Sequence, residues 1–68
     1  MNSALLEYEM KRKHFKKGDF CKAIGMDRTA FYRKCNGKSE FTRSEIKKII
    51  EVLELENPVQ IFFDDEVS

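Results

Sequence analysis

The chain has 68 residues, of which 37% are charged and 41% hydrophobic, and its formal net charge is +1. A chain of this length folds as one domain around a small core, so we expect residues 1–68 to form a single domain. Two cysteines and one histidine give neither a zinc-ligand spacing nor a disulfide framework, and we expect no metal, no cofactor and reduced thiols. No apolar run approaches the roughly 20 residues of a membrane span, and Glu7 and Glu9 interrupt any signal peptide. These features predict a cytoplasmic protein without a membrane partner.

Positive charge is concentrated in the middle of the chain. Residues 11–43 contain eleven Lys or Arg and three Asp or Glu, a net charge of +8, whereas residues 44–68 carry −5 and residues 1–10 carry −2. A basic segment of this kind favours a nucleic-acid partner, although a solvated charged surface would give the same count. Residues 64–68 form an acidic C-terminal tail that we expect to fray.

Apolar residues at helical spacing predict an all-α chain that begins with a helix over residues 4–15. Leu6 and Met10 lie one turn apart on this helix. Basic residues follow at its end, where they suit the negative pole of the helix dipole. We expect Gly18 to release the chain from this helix.

Two short helices separated by a glycine are predicted over residues 17–24 and 28–35. Gly25 can adopt the positive φ that a tight turn needs, and Asp27 can cap the helix that follows. Two helices joined in this way have the shape of a helix-turn-helix, here over residues 17–36, whose second helix is suited to the major groove of DNA. The outward face of that second helix carries Arg28, Thr29, Tyr32 and Arg33.

A fourth helix is predicted over residues 43–54. Thr42 with Glu45 three residues later is a capping box, and isoleucines follow at helical spacing. With the apolar residues of the earlier helices they define a core, which we expect to be centred on Phe31. Its members are predicted to be Phe20, Ile24, Phe31, Ile46, Ile50 and Leu53.

The last apolar segment predicts a short fifth helix over residues 58–63. Asn57 is a good N-cap and Pro58 suits the first helical position. The β-branched and aromatic residues within 59–63 leave a strand as the alternative. Ile61, Phe62 and Phe63 are candidates for a dimer surface, although burial in the chain's own core explains at least two of these three equally well.

Residues 16–38 resemble the helix-turn-helix of phage Cro and CI repressors and of the wider XRE family of bacterial regulators. The resemblance rests on the glycine at Gly25, the small residue Cys21, the Asn-Gly pair at 36–37, and apolar residues at Phe20, Ile24, Met26 and Phe31. It implies a compact, five-helix, lambda-repressor-like domain. The chain departs from the family at Lys34, which replaces a bulky apolar residue and whose amine we expect to reach solvent. It also has Lys16-Lys17 where a Thr-Gln pair is frequent, which removes a hydroxyl cap.

The resemblance implies a DNA-binding regulator similar to a short Cro repressor, which occupies a pseudo-palindromic operator as a homodimer. Base-edge contacts are expected from Arg28, Thr29, Tyr32 and Arg33, because arginine fits the two acceptors of guanine and threonine can meet a thymine methyl group. Contacts to the DNA backbone are implied at Lys17, Asn36, Lys38 and Arg43. No nucleophile stands with a matching base, so we expect no enzymatic activity.

The alternative is a protein-interaction module, such as an antirepressor or an antitoxin-like adaptor, on the same helix-turn-helix scaffold. Such a module has no need of outward-facing arginines at the spacing of Arg28 and Arg33, whereas DNA recognition does. The sequence leaves open the operator, the choice between repression and activation, and the oligomeric state without DNA.

Overall fold

The computed structural model of the protein describes residues 1–63, and within them it contains helices and no strand. This confirms the predicted all-α class, and it decides the open choice at residues 59–62 in favour of a helix. The predicted acidic tail, residues 64–68, lies outside the described residues. The helices are α1 (Ser3–Arg12), α2 (Lys17–Ile24), α3 (Arg28–Cys35), α4 (Arg43–Leu53) and α5 (Pro58–Phe62).

The predicted end of the first helix is wrong, because α1 ends at Arg12 and not at residue 15. His14 adopts a left-handed conformation with φ of 62°. The backbone N–H of Phe15 then turns back and donates to the carbonyl of Met10 over 2.9 Å, which terminates the helix. Gly18, which was expected to release the chain, lies inside α2.

The turn between α2 and α3 has the geometry that the sequence predicts. Gly25 has φ of 70°, and the N–H of Met26 donates to the carbonyl of Cys21 over 2.9 Å. Asp27 then caps α3, since its carboxylate accepts from the N–H of Thr29 over 3.0 Å. Both helices consequently have the predicted bounds.

The capping box at the start of α4 is confirmed. The side chain of Thr42 accepts from the N–H of Glu45 over 3.2 Å, and the side chain of Glu45 accepts from the N–H of Thr42 over 2.8 Å. The helix ends at Leu53 and not at residue 54, because Glu54 has a left-handed φ of 52°.

The fifth helix starts at Pro58 as predicted but ends at Phe62 and not at residue 63. Asn57 occupies the N-cap position, yet its side chain makes no capping hydrogen bond. The helix is fastened to the start of the chain, because the N–H of Asn2 donates to the carbonyl of Ile61 over 2.7 Å. The two ends of the fold are thereby joined.

The predicted core needs one correction, on α4. Ile46 and Ile50 are only partly buried, and Ile49 is fully buried in their place. Ile49 and Leu53 lie four residues apart and form the stripe that faces the core, while Ile46 and Ile50 flank that stripe. Among the described residues the buried core consists of Leu6, Met10, Phe20, Cys21, Ile24, Phe31, Ile49, Leu53 and Ile61.

Five phenylalanines form a continuous row of edge-to-face contacts through the domain. The ring centroids are 5.6 Å apart for Phe15–Phe20, 5.6 Å for Phe20–Phe31, 5.9 Å for Phe31–Phe41 and 5.8 Å for Phe41–Phe62. Each such pair adds about 0.5–1.5 kcal/mol beyond its buried area. Phe31 is the middle member, so the row holds α3 against α2 on one side and against the loop before α4 on the other.

Candidate nucleic-acid interface

The outward face of α3 is defined by the inward direction of Phe31. That side chain is 4% exposed, whereas the neighbouring Tyr32 is 60% exposed. Successive helical residues are rotated by about 100°, so Thr29 and Arg33, two residues on either side of Phe31, project from the opposite face, and Tyr32 and Arg28 lie at its edges. All four residues predicted to contact base edges are exposed: Arg28, Thr29, Tyr32 and Arg33.

These four side chains line one open groove of about 420 Å³, together with two residues that follow α3 in the chain. The two additions belong to the set predicted to contact the DNA backbone. Three of the six lining residues are basic and none is acidic, so the groove favours an anionic ligand. The complete lining is Arg28, Thr29, Tyr32, Arg33, Asn36 and Lys38.

The other two predicted backbone contacts, Lys17 and Arg43, do not line the groove. The Nζ atom of Lys17 lies 5.8 Å from the centroid of the Tyr32 ring, so this amine borders the groove. Arg43 is exposed at the first position of α4. Lys16 precedes α2 without a side-chain cap, as expected from the missing hydroxyl, and the first N–H groups of α2 remain available to an anion.

The basic residues of the domain differ in whether an acid neutralises them. Arg12 pairs with Glu9 over 2.9 Å and Lys13 pairs with Glu54 over 2.6 Å. By contrast, no acidic side chain within residues 1–63 forms an ion pair with the basic residues of the groove or with Arg43. Their donors are therefore available to a ligand.

A model of the Cro/C1-type helix-turn-helix DNA-binding domain matches residues 6–62 of the 68-residue chain. The chain belongs to this family. It is a DNA-binding regulator domain. The matched range contains α2, α3 and all residues that line the groove along α3. No curated protein and no solved structure gave a significant match.

The prediction that the amine of Lys34 reaches solvent is wrong for this Cro/C1-type domain. The amine instead donates to the Oε1 atom of Glu45 over 2.6 Å, and it lies 5.9 Å from the centroid of the Phe41 ring. Burial alone would raise the pKa of Glu45, but hydrogen bonds from Lys34 and from the backbone of Thr42 outweigh it and hold that pKa below its usual value. The pair connects the end of α3 to the start of α4, on either side of the loop that carries Asn36.

The two cysteines of the domain are not activated. Burial raises the pKa of the Cys21 thiol, and burial raises the pKa of the Cys35 thiol to about 11, where Glu7 adds to the rise and Lys17 opposes it. Both thiols are thus protonated at neutral pH. Residues 1–63 contain no cluster of three His, Cys, Asp or Glu side chains that could hold a metal ion. In the same range no helix is long and apolar enough to cross a membrane.

The three candidates for a dimer surface differ in their exposure. Ile61 is 1% exposed and belongs to the core, so the alternative explanation holds for this residue. Phe62 is partly buried against Phe41, while Phe63 is 41% exposed. Phe62 and Phe63 border an open groove of about 410 Å³, whose lining is partly apolar, through these rings and Ile46, and partly polar. Of the three, only these two can contact another molecule.

Proposed function

We propose that this domain is a sequence-specific regulator of transcription that inserts α3 into the major groove of double-stranded DNA. The observation that carries the proposal is the groove along α3, in which two unpaired arginines lie on one face with a threonine and an exposed tyrosine. A helix-turn-helix presents its second helix to base edges, and arginine, threonine and tyrosine supply donors and a methyl contact there.

The position of each residue along α3 supports a division of roles. Arg28 and Thr29 stand in the first turn, which points toward base edges, and Tyr32 and Arg33 stand one turn later. Residues around this face would contact phosphates, fix the register and carry no sequence information. This second group comprises Lys17, Asn36, Lys38 and Arg43.

We further propose that the domain acts as a Cro-like, phage-type repressor, which binds its operator in the cytoplasm as a two-fold homodimer and excludes polymerase sterically. Two copies of α3 would then lie about 34 Å apart in successive major grooves, with half-sites about 10 base pairs apart. Phe62 and Phe63 support the dimer contact, because they leave apolar surface exposed beside Ile46.

The central test is selection of binding sites from random DNA duplexes. The expected result is a symmetric consensus with two half-sites about one helical turn apart. Arg28→Ala should weaken binding to that consensus by about 1–3 kcal/mol and relax one base position. Arg12→Ala is the matched control, because it removes an exposed arginine outside the groove. Absence of binding to any duplex at low salt would instead favour the protein-interaction module.

The dimer is tested separately by the stoichiometry of the protein on the selected DNA. Phe63→Ala should reduce the fraction of complexes with two protein copies. Val59→Ala is the control, since Val59 is 49% exposed on the helix that precedes Phe63 but does not border the groove that Phe63 lines. Equal stoichiometry for both variants would contradict the proposed dimer surface.

A further inference from the structure

One acidic residue of α1 reaches the edge of the DNA-binding groove. The Oε1 atom of Glu7 lies 3.2 Å from the Nζ atom of Lys17, and the two side chains are 50% and 51% exposed. The same Nζ atom lies 5.8 Å from the centroid of the Tyr32 ring. One amine therefore stands between a carboxylate on α1 and an aromatic ring on the exposed face of α3.

Glu7 differs in its surroundings from the other paired acids. Glu9, Glu54 and Glu45 neutralise Arg12, Lys13 and Lys34, none of which lines the groove or contacts its Tyr32 ring. Glu7 instead neutralises a lysine at the first position of α2, beside helix N–H groups that no side chain caps. Its charge also extends to α3, where it adds to the rise in the pKa of Cys35 that burial causes.

A carboxylate and a DNA phosphate are chemically similar partners for a lysine. Both present anionic oxygens to the ammonium group, which is a compact point charge with three donors. An amine that is already paired with a carboxylate attracts a phosphate less strongly, because the carboxylate neutralises its charge and repels the incoming phosphate. The gain from the phosphate is then reduced by the strength of the original pair.

We infer that Glu7 is an intramolecular competitor for the DNA phosphate at Lys17, and that it holds the amine against Tyr32 in the free protein. The inference rests on the proposed function, in which Lys17 contacts the DNA backbone. On binding, Lys17 exchanges the carboxylate of Glu7 for a phosphate oxygen. Because phosphates carry no sequence information, the competition lowers the affinity for all duplexes alike.

The test compares binding of the full chain to one duplex of arbitrary sequence at low salt, measured by fluorescence anisotropy. Glu7→Gln keeps the size of the side chain and removes its charge, and it should raise the affinity about 1.5- to fivefold, the range expected for an exposed ion pair. Glu9→Gln removes the same charge from the same helix and should change the affinity less. In a Lys17→Met background, Glu7→Gln should raise the affinity no more than Glu9→Gln does.

The background variant separates direct competition from general repulsion of DNA by a negative charge. An equal gain from Glu7→Gln with and without Lys17 would overturn the inference, as would equal gains from Glu7→Gln and Glu9→Gln. A loss of affinity in Glu7→Gln would also overturn it. If the unchanged chain bound no duplex at all, the proposed function would fail together with the inference, whereas the other outcomes leave that function intact.

Discussion

Lys34 at the end of α3 and Glu45 in the first turn of α4 form a partly buried ion pair, with 2.6 Å between Nζ and Oε1. The same Oε1 atom accepts the N–H of Thr42 over 2.8 Å. One carboxylate oxygen thus completes the cap of α4 and holds the end of α3. The loop between these helices carries Lys38, one of the residues that line the groove.

Loss of this carboxylate should destabilise the domain. Glu45→Ala removes the reciprocal bond of the capping box and leaves the amine of Lys34 partly buried without its acceptor, so we expect the free energy of unfolding to fall by about 1–2 kcal/mol. Urea denaturation measures this change. Glu51→Ala is the control, because Glu51 is exposed on the same helix and should change stability by less than about 0.5 kcal/mol. Equal effects of the two substitutions would contradict the role of Glu45.

The same pair should make stability depend on acid pH. Hydrogen bonds to Lys34 and Thr42 outweigh the effect of burial, so the pKa of Glu45 in the folded state lies below the ordinary value of 4.5. The unfolded state consequently binds the proton more readily. The stabilisation is fully present above about pH 4.5 and is lost as the pH falls through the folded-state pKa.

Glu45→Gln should therefore reduce the loss of stability on acidification, measured as the urea midpoint at several pH values below 4.5. The pKa of Glu9 is also lowered, mainly by its hydrogen bond to Arg12. That pair is more exposed to screening, so Glu9→Gln should alter the profile less. A Glu45→Gln profile that matches the unchanged protein would show that this carboxylate does not drive the acid dependence.

The parts of the fold that sequence reasoning predicts correctly are those that local chemistry decides. Gly25 supplies a positive φ, Asp27 caps the next helix, and Thr42 with Glu45 forms a capping box. Each of these signals acts over at most three residues. The end of α2 and the start of α3 follow from the first two, and the start of α4 from the third.

The parts that sequence reasoning misses depend on contacts between distant segments. On α4 the pair Ile46 and Ile50 is as apolar as the pair Ile49 and Leu53, and only packing against the rest of the domain, including α2, places Ile49 in the core. Lys34 forms an ion pair with Glu45, which is eleven residues later in the sequence, and its amine is therefore not solvated as expected. Glu7 and Lys17 lie on different helices, and no local rule relates them.

The left-handed residue after α1 should be a site of strain. Outside glycine, this conformation costs about 1–2 kcal/mol, and His14 adopts it with φ of 62°. Glycine would remove that cost but lose about 0.5–1 kcal/mol through the greater freedom of the unfolded chain. We expect His14→Gly to raise the free energy of unfolding by about 0.5–1 kcal/mol.

His14→Ala is the matched control in the same denaturation experiment. It removes the imidazole but keeps the Cβ atom that causes the strain, so it should not stabilise the domain. Stabilisation by alanine equal to that by glycine would show that the imidazole, and not the backbone, is unfavourable.

Truncation of Phe31, the middle member of the row of phenylalanines, should unfold the domain. Phe31 contacts Phe20 and Phe41 and is 4% exposed. Truncation of a buried phenylalanine to alanine costs about 3–5 kcal/mol, which is similar to the whole stability that a small core supplies. Phe31→Ala should therefore be largely unfolded by circular dichroism, and Phe31→Leu should remain folded with lower stability. Phe63→Ala, at a ring 41% exposed, should stay close to the unchanged protein.

Two basic residues of the same groove should affect DNA binding in different ways. Arg33 stands on the outward face of α3, so Arg33→Ala should relax the preference at one base position and cost about 1–3 kcal/mol on the selected operator. Lys38 stands beyond the end of α3, where its amine can contact a phosphate. Lys38→Ala should lower affinity for all sequences alike and reduce the slope of log affinity against log salt by about one. Because both variants remove one positive charge, a common effect on slope and preference would show that the groove attracts DNA without recognising its sequence.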